Sequence, residues 1–236
     1  MKFLAYLLKS QSSLTKLIDQ FNRTIAVVVV LLLAYSTITT AYAAEKLVIL
    51  GSSTAAGIGA SSSETSWGEL FKKWAKVNRD LDVINLASPG ALTQEAACTT
   101  RYSMTQKAFD LGAKYIIVSY PSNDTVAGVA PDQTIENIRS ILQCASARGV
   151  KVILLSTLPR SGLTSQQRKS IAKIDDTLKA EVGGCFIDVK SQLSDPSGLN
   201  PRLNFSAGDG IHVNNNGHAT IFLLVRNFLM QNSRCI

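Results

Sequence analysis

KLVILGSSTAAGIG, Lys46 to Gly59, is the stretch from which the rest of the chain can be read. A short apolar run, Leu47 to Leu50, stops at Gly51 and gives way to small hydroxylated residues and then Gly57. That order predicts a buried strand leaving through a tight turn into a helix. The turn would present Ser53 at the carboxyl end of the strand. There the first amides of the following helix direct unpaired N–H groups at developing negative charge. Such a place suits a nucleophilic serine, although turns rich in Gly and Ser are common and Ser53 taken singly reads first as a turn residue.

The 236 residues suffice for one compact domain with its own core. The first segment does not resemble part of that core. Lys2, Lys9, Lys16 and Arg23 stand against a single acid, Asp19, before the uninterrupted apolar run Ile25 to Ala34 and the small residues around Ala41-Tyr42-Ala43. This is the order of a secretory signal peptide, residues 1–43, with cleavage expected after Ala43 or Ala44 and a domain over 44–236. A retained membrane anchor is the alternative, but the strongly apolar core is only about half of the ~20 residues that a spanning helix needs.

Export sets the reading of Cys98, Cys144, Cys185 and Cys235, all of which follow residue 43. An even number in an oxidising compartment predicts two disulfides, with three pairings open. None lies in a Cys-x-x-Cys pair or beside a histidine, which argues against a zinc or redox site. Without the first 43 residues the formal charge drops from +7 to +4, and no basic run interleaved with aromatics remains, so nucleic-acid binding has no support.

Beyond Leu47, the segments Leu81–Leu86, Tyr115–Ser119, Val150–Leu155 and Cys185–Val189 read as further strands. Helical spacing recurs between them: Trp67, Leu70, Phe71 and Trp74; then Ile135, Ile138, Ile141, Leu142 and Ala145, ending at Gly149; then a capping box from Thr164 to Gln167 leading into Ile171, Ile174 and Leu178; and last about Ala219 to Met230. Strands alternating with helices imply right-handed crossovers. The fold class is therefore α/β, a three-layer α/β/α sandwich around a five-stranded parallel sheet. Ligands of such sheets bind beyond the carboxyl ends of the strands. Those positions hold Ser53, then Ser88-Pro89-Gly90, then Tyr120 to Asp124, then Pro159-Arg160.

A serine nucleophile needs a base, and the chain has two histidines. In Asp209-Gly210-Ile211-His212 a carboxylate precedes His212 by three residues across a glycine turn, a spacing that can orient the imidazole and stabilise its charged form. His218 opens the last helical pattern without such an acid and reads as structural or surface-lying. An oxyanion formed on attack needs two or three aimed donors. The backbone N–H of Ser53, the backbone N–H of Gly90 and the side-chain amide of Asn123 stand at the ends of successive strands. Asp124 reads as a carboxylate that stabilises its turn, and Trp67 as core.

GSST at Gly51–Thr54, NLASPG at Asn85–Gly90, PSND at Pro121–Asp124 and DGIH at Asp209–His212 resemble, in order, the four sequence blocks of the SGNH hydrolases, also called GDSL esterases and lipases. The resemblance spans Gly51 to His212. It implies a flavodoxin-like fold, Ser53 as nucleophile, Asp209 and His212 as its partners, and Ser53, Gly90 and Asn123 as oxyanion donors, with no metal and no cofactor. One departure is visible: Ser52 stands where the family usually has aspartate. Thr65-Ser66-Trp67-Gly68 is similar to a stretch in some carbohydrate acetylesterases of the family. The expected activity is hydrolysis of short acyl esters, chiefly acetyl esters and those of an extracytoplasmic glycan, by a periplasmic or secreted enzyme without stable membrane insertion. An O-acetyltransferase with the same residues, and a catalytically silent carbohydrate-binding envelope protein, are the alternatives. Asn123-Asp124-Thr125 and Asn204-Phe205-Ser206 are formal N-glycosylation acceptors. A glycan on Asn123 would block the proposed site, which favours a bacterial source.

Overall fold

A computed structural model describes residue 15 and residues 19–29, 43–120, 122–232, 234 and 235. The chain divides into two compact units, Met1–Ala43 and Ala44–Ile236. Of the first, residues 19–29 are helical, with Arg23 paired to Asp19 one turn earlier at 3.4 Å. The second half of the apolar run expected of a signal peptide, residues 30–34, and residues 41 and 42 before the expected cleavage lie outside the described residues. No helix among the described residues is long and apolar enough to cross a membrane.

The second unit is built on five parallel strands: β1 (Glu45–Gly51), β2 (Leu81–Asn85), β3 (Ala113–Ser119), β4 (Lys151–Leu155) and β5 (Phe186–Ile187), in the spatial order β2-β1-β3-β4-β5. Successive side chains of a strand point to opposite faces, and β1 shows the consequence. Leu47 and Ile49 enter one core layer with Trp67, Phe71, Val225 and Leu229; Val48 and Leu50 enter the other with Ile116, Ile138, Ile141 and Ile174. Helices α1 (Trp67–Asn78) and α8 (Asn215–Gln231) cover the first face. The second is covered by α2 (Thr93–Ala96), α3 (Met104–Asp110), α5 (Pro131–Ala147) and α6 (Ser165–Val182). Two short helices, α4 (Ser122–Val126) and α7 (Lys190–Leu193), follow β3 and β5. The three-layer α/β/α architecture expected from the alternation is the one observed.

Local chemistry accounts for the helix ends. Thr164 Oγ1 accepts from the Gln167 N–H at 3.2 Å and Gln167 Oε1 accepts from the Thr164 N–H at 2.9 Å, so the capping box is reciprocal. Pro131 occupies the first turn of α5, where a missing N–H costs nothing. Three expectations change. The helix expected directly after Ser53 is a turn over residues 53–59, because Gly57 and Gly59 both adopt φ of 97°, outside the right-handed helical region; regular helix begins only at Trp67. The fifth strand is shorter than Cys185–Val189, since it pairs with β4 over two residues and Cys185 belongs to a 3-10 turn. The last helix starts earlier than Ala219, because Asn214 caps it by accepting from the Asn216 and Gly217 amides.

The cysteines pair as Cys98–Cys144 and Cys185–Cys235. The first ties the segment after α2 to α5; the second ties the turn before β5 to the residues after α8. They close sequence separations of 46 and 50 residues, for which chain entropy gives about 2–4 kcal/mol each. Reduction under native conditions is therefore expected to lower the thermal midpoint by several degrees, and replacing both members of either pair by serine to do so in part, as read by calorimetry. An unchanged midpoint after verified reduction would contradict this.

Candidate active site

The strand order reverses direction between β1 and β3, since the chain goes out from β1 to β2 and returns to the other side. In sheets of this order the crevice above that pair is the place where ligands sit. Ser53 leaves β1 there and Asn123 follows β3.

The turn bearing Ser53 is held from three directions. Its first amide, Ser52 N–H, donates to the Ser119 carbonyl at the end of β3, at 3.2 Å. A Cβ on Gly51 would stand 2.6 Å from both the Ser119 oxygen and the Ala55 Cβ, so only glycine lets β1 and the turn close on β3. Asn85, at the end of β2, donates from Nδ2 to the Ala55 carbonyl at 2.8 Å. His218, fully buried in the first turn of α8, accepts at Nδ1 from the Trp67 N–H at 3.3 Å and donates from Nε2 to the Ile58 carbonyl at 3.2 Å. Both ring nitrogens are thus occupied by backbone. Burial lowers the pKa of His218, as does the neighbouring His212, against the opposing pull of the Ile58 carbonyl, which keeps this ring neutral.

His212 is held by the turn that contains it. Asp209 Oδ1 accepts from the Ile211 and His212 amides, both at 2.8 Å, while Asp209 Oδ2 meets His212 Nδ1 at 2.6 Å. Aspartate closing on its own following backbone is a turn device in itself, and here the same carboxylate also orients the ring. Partial burial pushes the Asp209 carboxyl up, but the His212 amide, the His212 ring and the Ile211 amide outweigh it and hold the group at about 2. The other ring nitrogen, His212 Nε2, lies 2.9 Å from Ser53 Oγ. The hydrogen-bonded partner is Ser53 and not its neighbour Ser52. Asp209, His212 and Ser53 thus form one unbroken chain from carboxylate to hydroxyl.

Asn123 sits on α4 and not in an irregular turn, with Nδ2 donating to the Ala91 carbonyl at 3.2 Å. Gly90 adopts φ of 80° and has nothing within 4 Å of a notional Cβ, so the glycine is needed for backbone conformation on an open face. Among the described residues the N–H groups of Ser53 and Gly90 donate to no other backbone carbonyl. Ser53, Gly90, Asn123 and His212 line a single cleft of about 370 Å³, together with Ile58, Pro89, Ile211 and Arg160. Pro121, first residue of the PSND block, lies outside the described residues.

Asp124 serves a wider purpose than its own turn. It is fully buried and accepts from the Thr93 N–H at 3.1 Å and the Thr93 hydroxyl at 2.5 Å, with Asn137 donating in turn to Thr93 Oγ1 at 2.9 Å. It therefore fastens α4, which carries Asn123, to the segment that leads from Gly90 into α2. The sequence points to the neighbourhood of Arg160 but assigns it no role; the structure puts its Nη1 3.4 Å from Asn123 Oδ1. The nearest signal was its position shortly after β4. Among the described residues, no group of three or more His, Cys, Asp or Glu side chains is arranged to hold a metal ion.

Comparison with known proteins gives the family and the fold. The sequence model of the GDSL-like Lipase/Acylhydrolase family matches residues 49–220. The esterase TesA of Pseudomonas aeruginosa is 28% identical over 123 residues, 52% of this chain and 59% of that enzyme, so the match spans less than two thirds of that relative. A crystal structure of TesA superposes with a TM-score of 0.65 at 20% identity, covering 79% of this chain and 99% of that one. A mutant of an acetyl-xylooligosaccharide esterase from Geobacillus superposes with a TM-score of 0.63 at 13% identity, covering 78% and 94%. At these identities the superpositions speak for the fold.

Burial pushes the Asp124 carboxyl above its ordinary value, although the Thr93 donors pull the other way. A carboxyl raised in the folded state contributes stability that is fully present below the unfolded value and lost as pH rises through the folded one. Urea unfolding of wild type and Asp124→Asn, followed from pH 3 to 7, is expected to show the wild type losing stability relative to the variant as pH increases. A difference that stays constant with pH would remove this assignment.

Proposed function

Because the chain belongs to the GDSL-like lipase/acylhydrolase family, a class of serine ester hydrolases, we propose that it hydrolyses short acyl esters, chiefly acetyl esters of carbohydrate, through an acyl-enzyme on Ser53. The observation that carries this reading is the continuous hydrogen-bond chain Asp209–His212–Ser53, at 2.6 and 2.9 Å. A hydroxyl within hydrogen-bond reach of an imidazole whose far nitrogen is held by a carboxylate is an activated nucleophile.

Ser53 Oγ attacks the ester carbonyl while its proton passes to His212 Nε2. The carbonyl oxygen gains the negative charge and takes hydrogen bonds from the Ser53 and Gly90 N–H groups and from Asn123 Nδ2. Collapse of this intermediate breaks the bond to the alcohol oxygen, which leaves with the proton from His212. The now neutral imidazole then takes a proton from water, the hydroxide oxygen attacks the acyl group, and a second collapse returns the serine and releases the acid. Asp209, ionised at all but very acid pH, supports the transient imidazolium without taking its proton.

The small cleft, walled by Ile58, Pro89 and Ile211, favours a short acyl group, and the structural likeness to an acetyl-xylooligosaccharide esterase supports a sugar as the alcohol. Two disulfides are compatible with an extracytoplasmic location and support export by the residues 1–43 segment as a signal peptide.

Exposure to a fluorophosphonate is expected to add one label to the wild type, seen by intact mass, and none to Ser53→Ala. Acetyl-ester turnover should fall more than about a thousandfold in Ser53→Ala and in His212→Ala, and about a hundredfold in Asn123→Ala. No adduct on folded wild-type protein would reject the esterase reading. Transfer of acetyl to an added sugar in preference to water would turn it into a transferase.

A further inference from the structure

Among the described residues Arg160 is the one Lys or Arg in the wall of the candidate catalytic cleft, and nothing in the proposed reaction uses its charge. Its Nη1 reaches the neutral Asn123 Oδ1 at 3.4 Å, and among the described residues no carboxylate pairs with it. A guanidinium has five N–H donors in a planar fork suited to a carboxylate, so most of its capacity is unspent. The same residue also lines a neighbouring cavity of about 210 Å³, which adds Arg168 and Lys190 to apolar walls such as Leu158 and Leu199. Arg168 donates to the Leu199 carbonyl at 2.5 Å and Lys190 stands 3.8 Å from Asp175, which leaves Arg160 as the cation with no anion and no strong acceptor. Among the described residues no Asp or Glu lines either cavity.

The position of Arg160 bears on which part of a substrate it would meet. The Ser161 N–H donates to the Gly210 carbonyl at 2.8 Å, so the loop after β4 is fastened to the turn that carries His212. In ester hydrolysis the leaving alcohol must lie against the base that returns its proton. Arg160 therefore flanks the alcohol side of the cleft, between Asn123 and the His212 turn.

We propose that Arg160 forms an anion subsite, so that the preferred substrate is an acetyl ester of an acidic sugar whose carboxylate pairs with the guanidinium. This rests on the esterase reading above. The charge does not alter the chemistry at Ser53; it raises the affinity for esters whose alcohol portion is anionic, and its contribution weakens as salt screens it.

The test uses two esters that differ at one group: methyl 3-O-acetylglucuronide, with a carboxylate at C6, and methyl 3-O-acetylglucoside, with a hydroxymethyl there. The wild type is expected to favour the glucuronide in kcat/KM by about tenfold at low salt, mostly through KM, with the ratio shrinking at high salt. Arg160→Gln should bring the ratio close to one and Arg160→Lys should restore part of it. An equal loss on both esters in Arg160→Gln, expressed in kcat, would mean that the side chain only orients Asn123, and would overturn the subsite. A wild-type ratio near one overturns it as well, while a fluorophosphonate adduct on Ser53 would leave the esterase reading standing. Absence of that adduct would take both readings down. A preference for 1-acetylglycerol 3-phosphate over 1-acetylglycerol, without one between the two sugars, would place the anion in a lipid phosphate and overturn the acidic sugar.

Discussion

The Ser119 carbonyl at the end of β3 accepts from the Ser52 amide, and on this contact the geometry of the candidate catalytic crevice depends. A parallel sheet normally leaves its carboxyl edge open, each strand running out into its own loop. The bond from Ser52 is the last rung of the β1–β3 ladder, in which Gly51 pairs with Ser119, and the two strands are close enough there that a methyl group on Gly51 would overlap the carbonyl oxygen. The cost of crowding two backbones is met by the buried apolar residues on both sides: Val48 and Leu50 on one face, Leu47 and Ile49 on the other, all fully buried. With β1 and β3 locked in register from Leu47 to Gly51, Ser53 and Asn123 leave the same edge at fixed separation. The remaining parts of the crevice are hung on this pair.

Two buried polar centres then do for the loops what the core does for the strands. His218 joins Ile58, in the turn that carries Ser53, to the first residue of α1, and stays neutral because a charged ring could not accept from Trp67. Asp124 joins α4 to the chain leading from Gly90. A buried polar group that is fully hydrogen-bonded specifies one arrangement, since any slippage leaves a donor or acceptor unpaired in a medium that penalises it. The donors proposed for the oxyanion come from three separate segments, so they can act together only if such ties hold them. Preorganisation of this kind spares the reaction the cost of aligning dipoles as charge develops.

Much of this was legible in the amino acids. The strand cores announce themselves as short β-branched runs, the capping box at Thr164 is present as written, and with two histidines in the whole chain the choice of base was narrow. Asp209 three residues before His212 was a sufficient clue to their contact. What escaped has physical causes. Positive φ at Gly57 and Gly59 stops a helix that composition alone would allow. Asn214 begins α8 before its apolar spacing does, because a cap acts through the backbone and leaves no periodicity. Disulfide pairing follows from where β5 and α5 come to rest, and four cysteines carry no record of that. Arg160 faces the cleft on a loop held by the bond from Ser161 to Gly210, a contact between loops that are about 50 residues apart and invisible to any local pattern.

The substitution of Ser52 for the family's usual aspartate separates two jobs that one motif is often read as doing together. The proposed catalysis requires a hydroxyl facing His212 Nε2, and Ser53 presents one at 2.9 Å. The preceding residue contributes through its backbone: its amide reaches Ser119 and its carbonyl accepts from the Ala56 N–H at 2.9 Å. Both bonds are available to any residue other than proline, so exchanging the side chain leaves the turn intact. It leaves the position before the proposed nucleophile uncharged. Asp209 is committed to His212 and Asp124, itself on α4, is buried against Thr93, so that among the described residues no Asp or Glu lines the crevice. The proposed anion subsite therefore rests on Arg160 and on where the acids around it are held, and not on the exchange at Ser52, which is not among the walls of the cleft.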